Sequence, residues 1–207
     1  MKKLLVLALA ILIIGVSQNA YALLSNPGFE SGDFTGWTAT VPSGGSAAVV
    51  TAHTGFYSTV YGPVSGSYFA ELKTDGPGSY TTLAQAIAVA AGEVIDGWAA
   101  FDARDYIDDH AMVRILASTG TPIATPWYAS VSGMGSYVDG PWTRWTWTAS
   151  TAGTYTVEYS VTNYGESDLD SYALFDAGPN VIPEPASLSL LGIGLLGLIS
   201  RRRKKNI

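Results

Sequence analysis

Alternation of apolar and polar residues in short segments is the feature that most restricts the fold of this chain. In residues 154–161, which read TYTVEYSV, Tyr and Val alternate with Thr, Glu and Ser, so one face of a strand is buried while the other meets solvent. The region between residues 23 and 180 shows no amphipathic helical pattern of useful length. The pattern therefore predicts an all-β domain.

Turn residues separate the β-prone segments, as in Ser43-Gly44-Gly45 and Asp139-Gly140-Pro141. Strands that follow one another without helical crossovers favour antiparallel pairing. At this length we expect one antiparallel β-sandwich with jelly-roll topology over residues 23–180. Its predicted strands are the opening segment and residues 47–52, 67–73, 82–89, 94–101, 110–117, 142–148, 154–161 and 171–176, about nine in all.

Charge is distributed unevenly along the chain, which has 11 Lys and Arg and 17 Asp and Glu. Between residues 23 and 180, four basic residues stand against 16 acidic ones, a balance of −12. Such a domain repels the phosphates of nucleic acids, so nucleic acid is excluded as a partner. Cysteine is absent, which excludes disulfides, thiolate metal sites and a cysteine nucleophile.

The first 22 residues have the three parts of a secretory signal peptide. Lys2 and Lys3 precede an apolar run over residues 4–16, and small and polar residues follow up to Ala20 and Ala22. The run is shorter than the roughly 20 residues that span a bilayer, which disfavours a permanent anchor. We predict a signal helix that the export machinery recognises and that signal peptidase removes after Ala22.

The end of the chain, residues 181–207, combines three unlike features. A Pro-Glu-Pro triplet precedes an uncharged apolar segment over residues 186–200, and a basic cluster follows over residues 201–205. Leucine and isoleucine cover every face of the segment, unlike a helix that packs on a soluble core. We predict an apolar helix that enters the membrane, with the basic cluster held on the cytoplasmic side.

This order of features resembles the PEP-CTERM protein-sorting signal. The resemblance implies recognition by an exosortase, a membrane transpeptidase that cuts near the Pro-Glu-Pro triplet, in a Gram-negative host that makes exopolysaccharide. It also implies a transient anchor in the inner membrane, followed by delivery to the cell surface or the extracellular matrix. The sorting-signal residues of this substrate would be Pro183, Glu184, Pro185, Arg201, Arg202 and Arg203.

The domain begins LSNPGFESGDFTGW over residues 24–37, and its last predicted strand contains Leu174-Phe175-Asp176. These pieces resemble the first and last strands of galactose-binding-type jelly rolls, a group that includes many carbohydrate-binding modules. The resemblance implies a Ca²⁺ ion held between the two strands, with Glu30 and Asp176 as side-chain ligands. Ala177 stands where the family often has another Asp or Asn, which removes one ligand. The alternative is that both carboxylates are solvated at strand ends.

Further acidic residues form two groups: Asp102, Asp105, Asp108 and Asp109, and then Glu166, Asp168 and Asp170. Neither group has the glycine and ligand spacing of an EF-hand loop, so we expect solvated loops. His53 and His110 lie in no catalytic motif and are predicted at the surface or at strand ends. No carboxylate pair stands out for glycoside cleavage, so we predict that the protein is not an enzyme.

Aromatic side chains supply the candidates for ligand binding. Trp145 and Trp147 fall on the same face of a predicted strand and are expected in the core. Trp127 and Tyr128 follow Pro126 in a predicted loop, where flat rings would be free to stack on sugars. We therefore predict Trp127 and Tyr128 as ligand-binding residues.

Three functions remain open for the domain. The first is a non-catalytic module that binds polysaccharide at the cell surface, such as the exopolysaccharide of the host. The second is a structural or biofilm protein without a specific sugar site. The third, ranked last, is a glycan hydrolase. Resemblance at the level of the fold does not choose among them, because one fold hosts many functions.

Overall fold

A computed structural model describes residues 24–74, 76–165 and 169–177. These residues form an all-β antiparallel sandwich, which confirms the predicted fold class. The predicted signal helix and C-terminal apolar helix lie outside the described residues. The described strands are β1 (Thr38–Thr40), β2 (Ser46–Val50), β3 (His53–Thr54), β4 (Val60–Tyr61), β5 (Phe69–Lys73), β6 (Thr81–Val89), β7 (Val94–Ala103), β8 (His110–Ala117), β9 (Pro122–Ser130), β10 (Val138–Asp139), β11 (Thr143–Thr148), β12 (Gly153–Thr162) and β13 (Tyr172–Asp176), and helix α1 is Val131–Met134.

Two sheets form the sandwich, and their strand pairs are antiparallel. The first sheet has the order β1-β6-β12-β8-β9. The second has the order β10-β7-β13-β5-β2, and β11 pairs with β7 on the same edge as β10. Neighbours such as β5 and β13 are far apart along the chain, as in a jelly roll.

Aromatic rings from both sheets meet in the core between them. Tyr159 of β12 stacks on Trp37 at a centroid distance of 4.8 Å and on Phe175 of β13 at 4.4 Å. Trp145 of β11 meets Tyr159 edge-on at 6.1 Å. Such pairs add about 0.5–1.5 kcal/mol each beyond the area that they bury. The prediction that Trp145 and Trp147 pack in the core is confirmed, since Trp145 is buried and Trp147 packs against the same cluster.

Gly97 of β7 makes room for the indole ring of Trp145. The two residues face each other across β7 and β11. A Cβ atom at position 97 would lie 2.8 Å from Cζ2 of Trp145, closer than real Cβ atoms approach other heavy atoms. The glycine therefore lets the second sheet accommodate a large, fully buried side chain.

Most predicted strands are confirmed, and the main omission is β9. The predicted strand 110–117 is reproduced as β8, while 154–161 extends by one residue at each end as β12. β9 contains Pro122 and Pro126, and proline disfavours a central strand because it lacks an N–H donor. β9 lies at the edge of the first sheet, where proline is tolerated.

The opening segment is not a strand, contrary to the prediction. Residues 24–37 form successive turns, and Asn26 and Phe29 adopt positive φ angles of 48° and 58°. The buried side chain of Gln85 holds this segment on the sandwich, because it accepts from the N–H of Ser25 at 2.6 Å and donates to the carbonyl of Ser25 at 2.9 Å. Asn, Pro and Gly in the segment favour turns, and they outweigh its β propensity.

The hairpin formed by β3 and β4 covers part of the outer face of the second sheet. Tyr61 of the hairpin packs there with Phe69, Ala100 and Leu174 in a small second core. The Tyr61 hydroxyl donates to the carbonyl of Gly140 at 2.8 Å. This part of the outer face is therefore closed by residues of the chain itself.

In the described part of the chain, no helix has the length and apolar character of a membrane span, and α1 has four residues.

Candidate functional site

Trp127 and Tyr128 lie in strand β9, not in a loop as predicted. Successive residues of a strand point to opposite faces, so these two rings do not form one platform. Trp127 points inward and meets Phe175 edge-on, with ring centroids 6.0 Å apart. Tyr128 points outward and is 54% exposed. The assignment of both residues to ligand binding stays a prediction, although their rings point to opposite faces of β9.

A cleft of about 410 Å³ opens between β9 and the edge of the second sheet formed by β10 and β11. Trp127 and Tyr128 both contribute to its lining, and α1 borders it. Two hydroxyl groups in the lining are already engaged: Ser130 Oγ accepts from the N–H of Gly133, and Thr143 Oγ1 donates to the carbonyl of Pro141. The cleft therefore has mostly apolar walls and offers few polar groups for a sugar.

Three rings form a row across the outer face of the first sheet. Tyr80 precedes β6, His110 begins β8, and Tyr128 lies in β9. Ring centroids lie 5.9 Å apart between Tyr80 and His110, and 5.7 Å apart between His110 and Tyr128. The Tyr80 hydroxyl also lies 3.1 Å from Nε2 of His110, within hydrogen-bonding distance. The row therefore crosses the strands instead of following one of them.

An ion pair borders this row. Arg114 of β8 and Glu158 of β12 are direct cross-strand partners, and Nε of Arg114 donates to Oε1 of Glu158 at 2.9 Å. The Nη2 group donates to the same oxygen. The guanidinium also lies 5.5 Å from the ring centroid of Tyr80. A guanidinium carries five N–H donors, so the pair keeps donor capacity for a ligand.

Small side chains occupy the neighbouring part of the same face. β6 places Ala84, Ala86 and Ala88 outward, while Leu83 and Ile87 point into the core. Ala84 pairs directly with Glu158 across the strands. A ligand that extends past the ion pair would therefore lie over methyl groups and would meet no bulky side chain from these positions.

We name the outward residues Tyr80, His110, Arg114, Tyr128 and Glu158 the aromatic face. Among them, Tyr128 was predicted to bind ligand and His110 was predicted near a strand end. The other three were missed, although they follow the same alternation as the buried residues of their strands. That alternation marks outward positions one strand at a time. It does not show which strands become neighbours, and the order of the strands decides which outward residues lie side by side on the aromatic face.

The predicted calcium ligands Glu30 and Asp176 both bind the segment between β4 and β5. The Glu30 carboxylate accepts from the N–H groups of residues 67 and 68, each at 3.0 Å. Oδ2 of Asp176 accepts from the N–H groups of residues 64 and 65 at 2.6 and 3.1 Å. Asp176 is fully buried, so the alternative of two solvated carboxylates is wrong for this residue.

This arrangement of Glu30 and Asp176 does not fit a calcium ion. Ca²⁺ takes six to eight oxygen ligands, whereas these carboxylates face N–H donors that oppose a cation. Burial raises the pKa of Asp176 to about 6. Among the described residues, no group of three or more His, Asp or Glu side chains is placed to hold a metal. The calcium site at Glu30 and Asp176 stays a prediction from the resemblance.

The acidic residues at the end of β7 and in the loop after it are mostly buried, and the expectation of solvated loops is wrong for them. Asp102, Asp105 and Asp109 are fully buried. Burial and the nearby charge of Asp105 raise the pKa of Asp109 to about 7. The loop between β7 and β8 folds inward over the end of the sandwich, which the local sequence does not reveal. In the later acidic group, Asp170 pairs with Lys73 at 2.7 Å, while Glu166 and Asp168 lie outside the described residues.

His53 begins strand β3, as the predicted strand-end position allows, but it is buried and does not lie at the surface. Its Nδ1 lies 2.6 Å from Glu71, and its Nε2 lies 2.8 Å from Asp102. Burial alone would lower the pKa of His53, but hydrogen bonds to the two carboxylates outweigh burial and raise this pKa above its ordinary value of 6.5. Arg104 completes the group by donating from Nε to Asp102 at 2.6 Å. Carboxylates occupy both ring nitrogens, so this histidine anchors β3 to the second sheet.

Comparison with protein families concerns the end of the chain. The family model described as the PEP-CTERM protein-sorting motif matches residues 181–204. The chain carries a PEP-CTERM sorting motif. This motif implies an exported protein that an exosortase processes at the membrane. The matched range includes the predicted sorting-signal residues Pro183, Glu184, Pro185 and 201–203. These residues lie outside the part of the chain that the structure describes, and so do Ala20 and Ala22 of the predicted signal peptide. The individual roles of all these residues therefore stay predictions.

Solved structures similar to the sandwich include two of carbohydrate-binding modules. One is a family 61 module in complex with β-1,4-galactotriose, with 18% identity, coverage of 78% of this chain and 96% of that one, and a TM-score of 0.46. Another comes from carbohydrate-binding modules of the β-sandwich superfamily, with 14% identity, coverage of 76% and 62%, and a TM-score of 0.48. The chain thus spans less than two thirds of that second structure.

A third similar structure is the K3 cleaved adhesin domain of Lys-gingipain from Porphyromonas gingivalis. It shows 18% identity, coverage of 74% of this chain and 94% of that one, and a TM-score of 0.47. No curated protein matches the sequence. The assignment of a sandwich rests on the pairing of the strands within the chain.

Proposed function

We propose that this chain is an exported protein of the cell surface or extracellular matrix whose sandwich binds a neutral polysaccharide, without cleaving it, on the aromatic face. The sorting motif at residues 181–204 supports delivery through an exosortase. The observation that carries the binding proposal is the row of Tyr80, His110 and Tyr128 beside the pair of Arg114 and Glu158.

This combination of groups suits a sugar chain. Pyranose rings have apolar C–H faces that pack on aromatic rings, and hydroxyl groups at the ring edge that need hydrogen-bond partners. The row offers the first kind of contact. Arg114 and Glu158 offer donors and acceptors next to it. The face extends along β6 over small side chains, so a polymer can continue beyond the residues that bind it.

Charge favours a neutral glycan over a polyanionic one. The region between residues 23 and 180 carries a balance of −12, and such a field repels polyuronic or sulfated chains. Arg114, the basic residue of the aromatic face, is paired with Glu158, so it does not create a positive patch.

The carboxylates near this face support binding without cleavage. Glycoside hydrolysis by the usual routes needs two carboxyl groups that flank the scissile bond. Among the described residues of the aromatic face, Glu158 supplies the carboxylate, and Arg114 binds it. The described residues of this face therefore offer one carboxylate where cleavage by the usual routes needs two.

Affinity electrophoresis of the exported protein in gels that contain a neutral galactan, glucan or xylan, or the host exopolysaccharide, tests this function. We expect at least one polymer to retard the protein, and Tyr128→Ala to weaken the retardation about tenfold through loss of a stacking contact. The matched control is Tyr57→Ala, which removes a ring that is 67% exposed on the loop between β3 and β4, outside the aromatic face. No retardation by any polymer, or equal losses in both variants, would contradict the proposal.

A second candidate function is structural self-association at the cell surface. The observation that favours it is an exposed aromatic group on the loop between β3 and β4, where Phe56 lies 5.1 Å from Tyr57 and 5.0 Å from Tyr137 between ring centroids. Sedimentation over a range of protein concentrations distinguishes the two functions. Assembly that Phe56→Ser abolishes, with no retardation by polysaccharide, would favour this candidate.

A further inference from the structure

Three buried oxygen atoms at one end of the sandwich lack hydrogen-bond donors within the described residues. They are Oδ2 of Asp105, Oδ2 of Asp109 and Oδ1 of Asn163. All three side chains are at least 99% buried. Buried polar groups are nearly always paired, so three unpaired acceptors in one region need an explanation.

Strand register places these side chains together. Thr162 pairs with His110, so one step further along the antiparallel strands sets Asn163 opposite Asp109. Both residues have the parity of the buried positions Val161 and Ala111, which points their side chains to the same inner side. The charge of Asp105 acts on Asp109, which brings the third residue to the same place.

The remaining polar atoms of these side chains are held by the protein. Oδ1 of Asp105 accepts from the N–H groups of residues 106 and 107, and Oδ1 of Asp109 accepts from the N–H of Tyr164. Nδ2 of Asn163 donates to the carbonyl of Leu169 at 3.3 Å. These bonds fix each side chain. Ser171 also lies beside the Asp109 carboxylate and lowers its pKa, but one oxygen of each side chain still has no donor within hydrogen-bonding distance among the described residues. The site is therefore oriented before any ligand binds.

A proton and a cation are the two simple ways to satisfy such a group. A proton on Asp109 can be donated to only one of the other two oxygens, so at least one acceptor would stay without a partner. A cation is attracted by all three oxygens and offsets the cost of burying two carboxylates without partners. Carboxylate and amide oxygens are the ligands of hard cations such as Ca²⁺.

We propose that Asp105, Asp109 and Asn163 form the side-chain part of a Ca²⁺ site that is separate from Glu30 and Asp176. Backbone carbonyls and water complete the six to eight ligands that this ion takes. Two carboxylates balance the charge of a divalent ion. Calcium sites of extracellular modules bind at about 10⁻⁴–10⁻³ M, and an exported protein meets the ion at such concentrations.

Ion binding here would join three parts of the chain next to the aromatic face. Asp105 and Asp109 lie in the loop between β7 and β8, and Asn163 follows β12. The backbone carbonyl of Asp109 accepts from the N–H of Val131, the first residue of α1. His110 of the aromatic face directly follows Asp109. The site would therefore stiffen the end of the sandwich that carries the ring row, whether or not a glycan binds there.

Calorimetric titration of the EDTA-treated full-length protein with CaCl₂, and melting temperatures with Ca²⁺ or EDTA, test the proposal. We expect millimolar Ca²⁺ to bind and to raise the melting temperature. Asp109→Asn should weaken binding at least tenfold, while Asp96→Asn, a change at an exposed ion pair, should leave it unchanged. The proposal is wrong if Ca²⁺ has no effect, or if Asp176→Asn abolishes the binding and Asp109→Asn does not.

Asn163→Asp provides a second test in case Asp109→Asn does not fold. A third buried carboxylate destabilises the protein in EDTA, but it adds a charged ligand to a cation site. We expect Ca²⁺ to restore the stability of Asn163→Asp and to bind it more tightly than it binds the unaltered protein. Equal destabilisation in Ca²⁺ and in EDTA would show that no cation binds at this site, and the proposal would be wrong.

Discussion

The two outer faces of the sandwich follow the same alternation of residues but end in opposite states. On the second sheet, the hairpin of β3 and β4 covers the outward residues Phe69, Ala100 and Leu174 with Tyr61. On the first sheet, the outward residues Tyr128 and Arg114 remain accessible from solvent. An outward position is therefore available for a ligand only where no other part of the chain packs over it.

The polar groups on the two faces differ for the same reason. Under the hairpin, His53, Asp102 and Arg104 satisfy one another, which makes the group part of the structure. On the open face, Arg114 and Glu158 form a comparable pair at the edge of an accessible row of rings. A cluster of charged residues alone does not mark a binding site. A cluster that another part of the chain covers is structural, whereas an uncovered one can contact a ligand.

The largest expected effect comes from breaking the covered cluster. Asp102→Ala removes the fully buried carboxylate that faces both His53 and the cationic Arg104, so the two side chains lose a shared partner. We expect a loss of about 3–5 kcal/mol in the free energy of unfolding, because breaking a buried pair leaves an uncompensated charge. Urea denaturation followed by tryptophan fluorescence measures it. A loss below about 1 kcal/mol would show that this face is not held by the cluster.

We expect a smaller effect of pH on the melting temperature, caused by the titration of His53. The folded-state pKa of His53 lies above the ordinary 6.5, so its stabilising contribution is complete below pH 6.5 and is lost as pH rises through the folded value. We therefore expect the melting temperature of the unaltered protein to fall above pH 6.5 more steeply than that of His53→Gln. Parallel curves for the two proteins would contradict the assigned role of Glu71 and Asp102.

The smallest effect is expected where the outer face of the second sheet is left uncovered. Asp96 and Arg144 form an ion pair there, with side chains 40% and 55% exposed. Exposed pairs contribute about 0–1 kcal/mol, so Arg144→Ala should change the free energy of unfolding by less than about 1 kcal/mol. Denaturation at low and high salt measures this contribution. A loss as large as that of Asp102→Ala would remove the distinction between covered and open charges.

Local patterns predicted the strands of the domain well, because alternation is a property of consecutive residues. Residues 110–117 and 154–161 show this for β8 and β12. The same reasoning missed β9, since its prolines are acceptable only at a sheet edge, and edges are set by distant strands. It also placed Asp105 and Asp109 in solvent, because their burial involves residues far along the chain, such as Tyr164, whose N–H binds Asp109.

The sequence by itself determined the all-β class, the sorting motif at residues 181–204 and the acidic character of the domain, because each depends on residues that are close together or on composition. The tertiary structure alone decided which outward residues are open, which carboxylates are buried, and that Tyr80, His110 and Tyr128 form one row. These properties depend on pairings between strands that are far apart in the chain. The alternation in the sequence shows which residues of a strand point to the same face, but it does not show which strands lie next to one another.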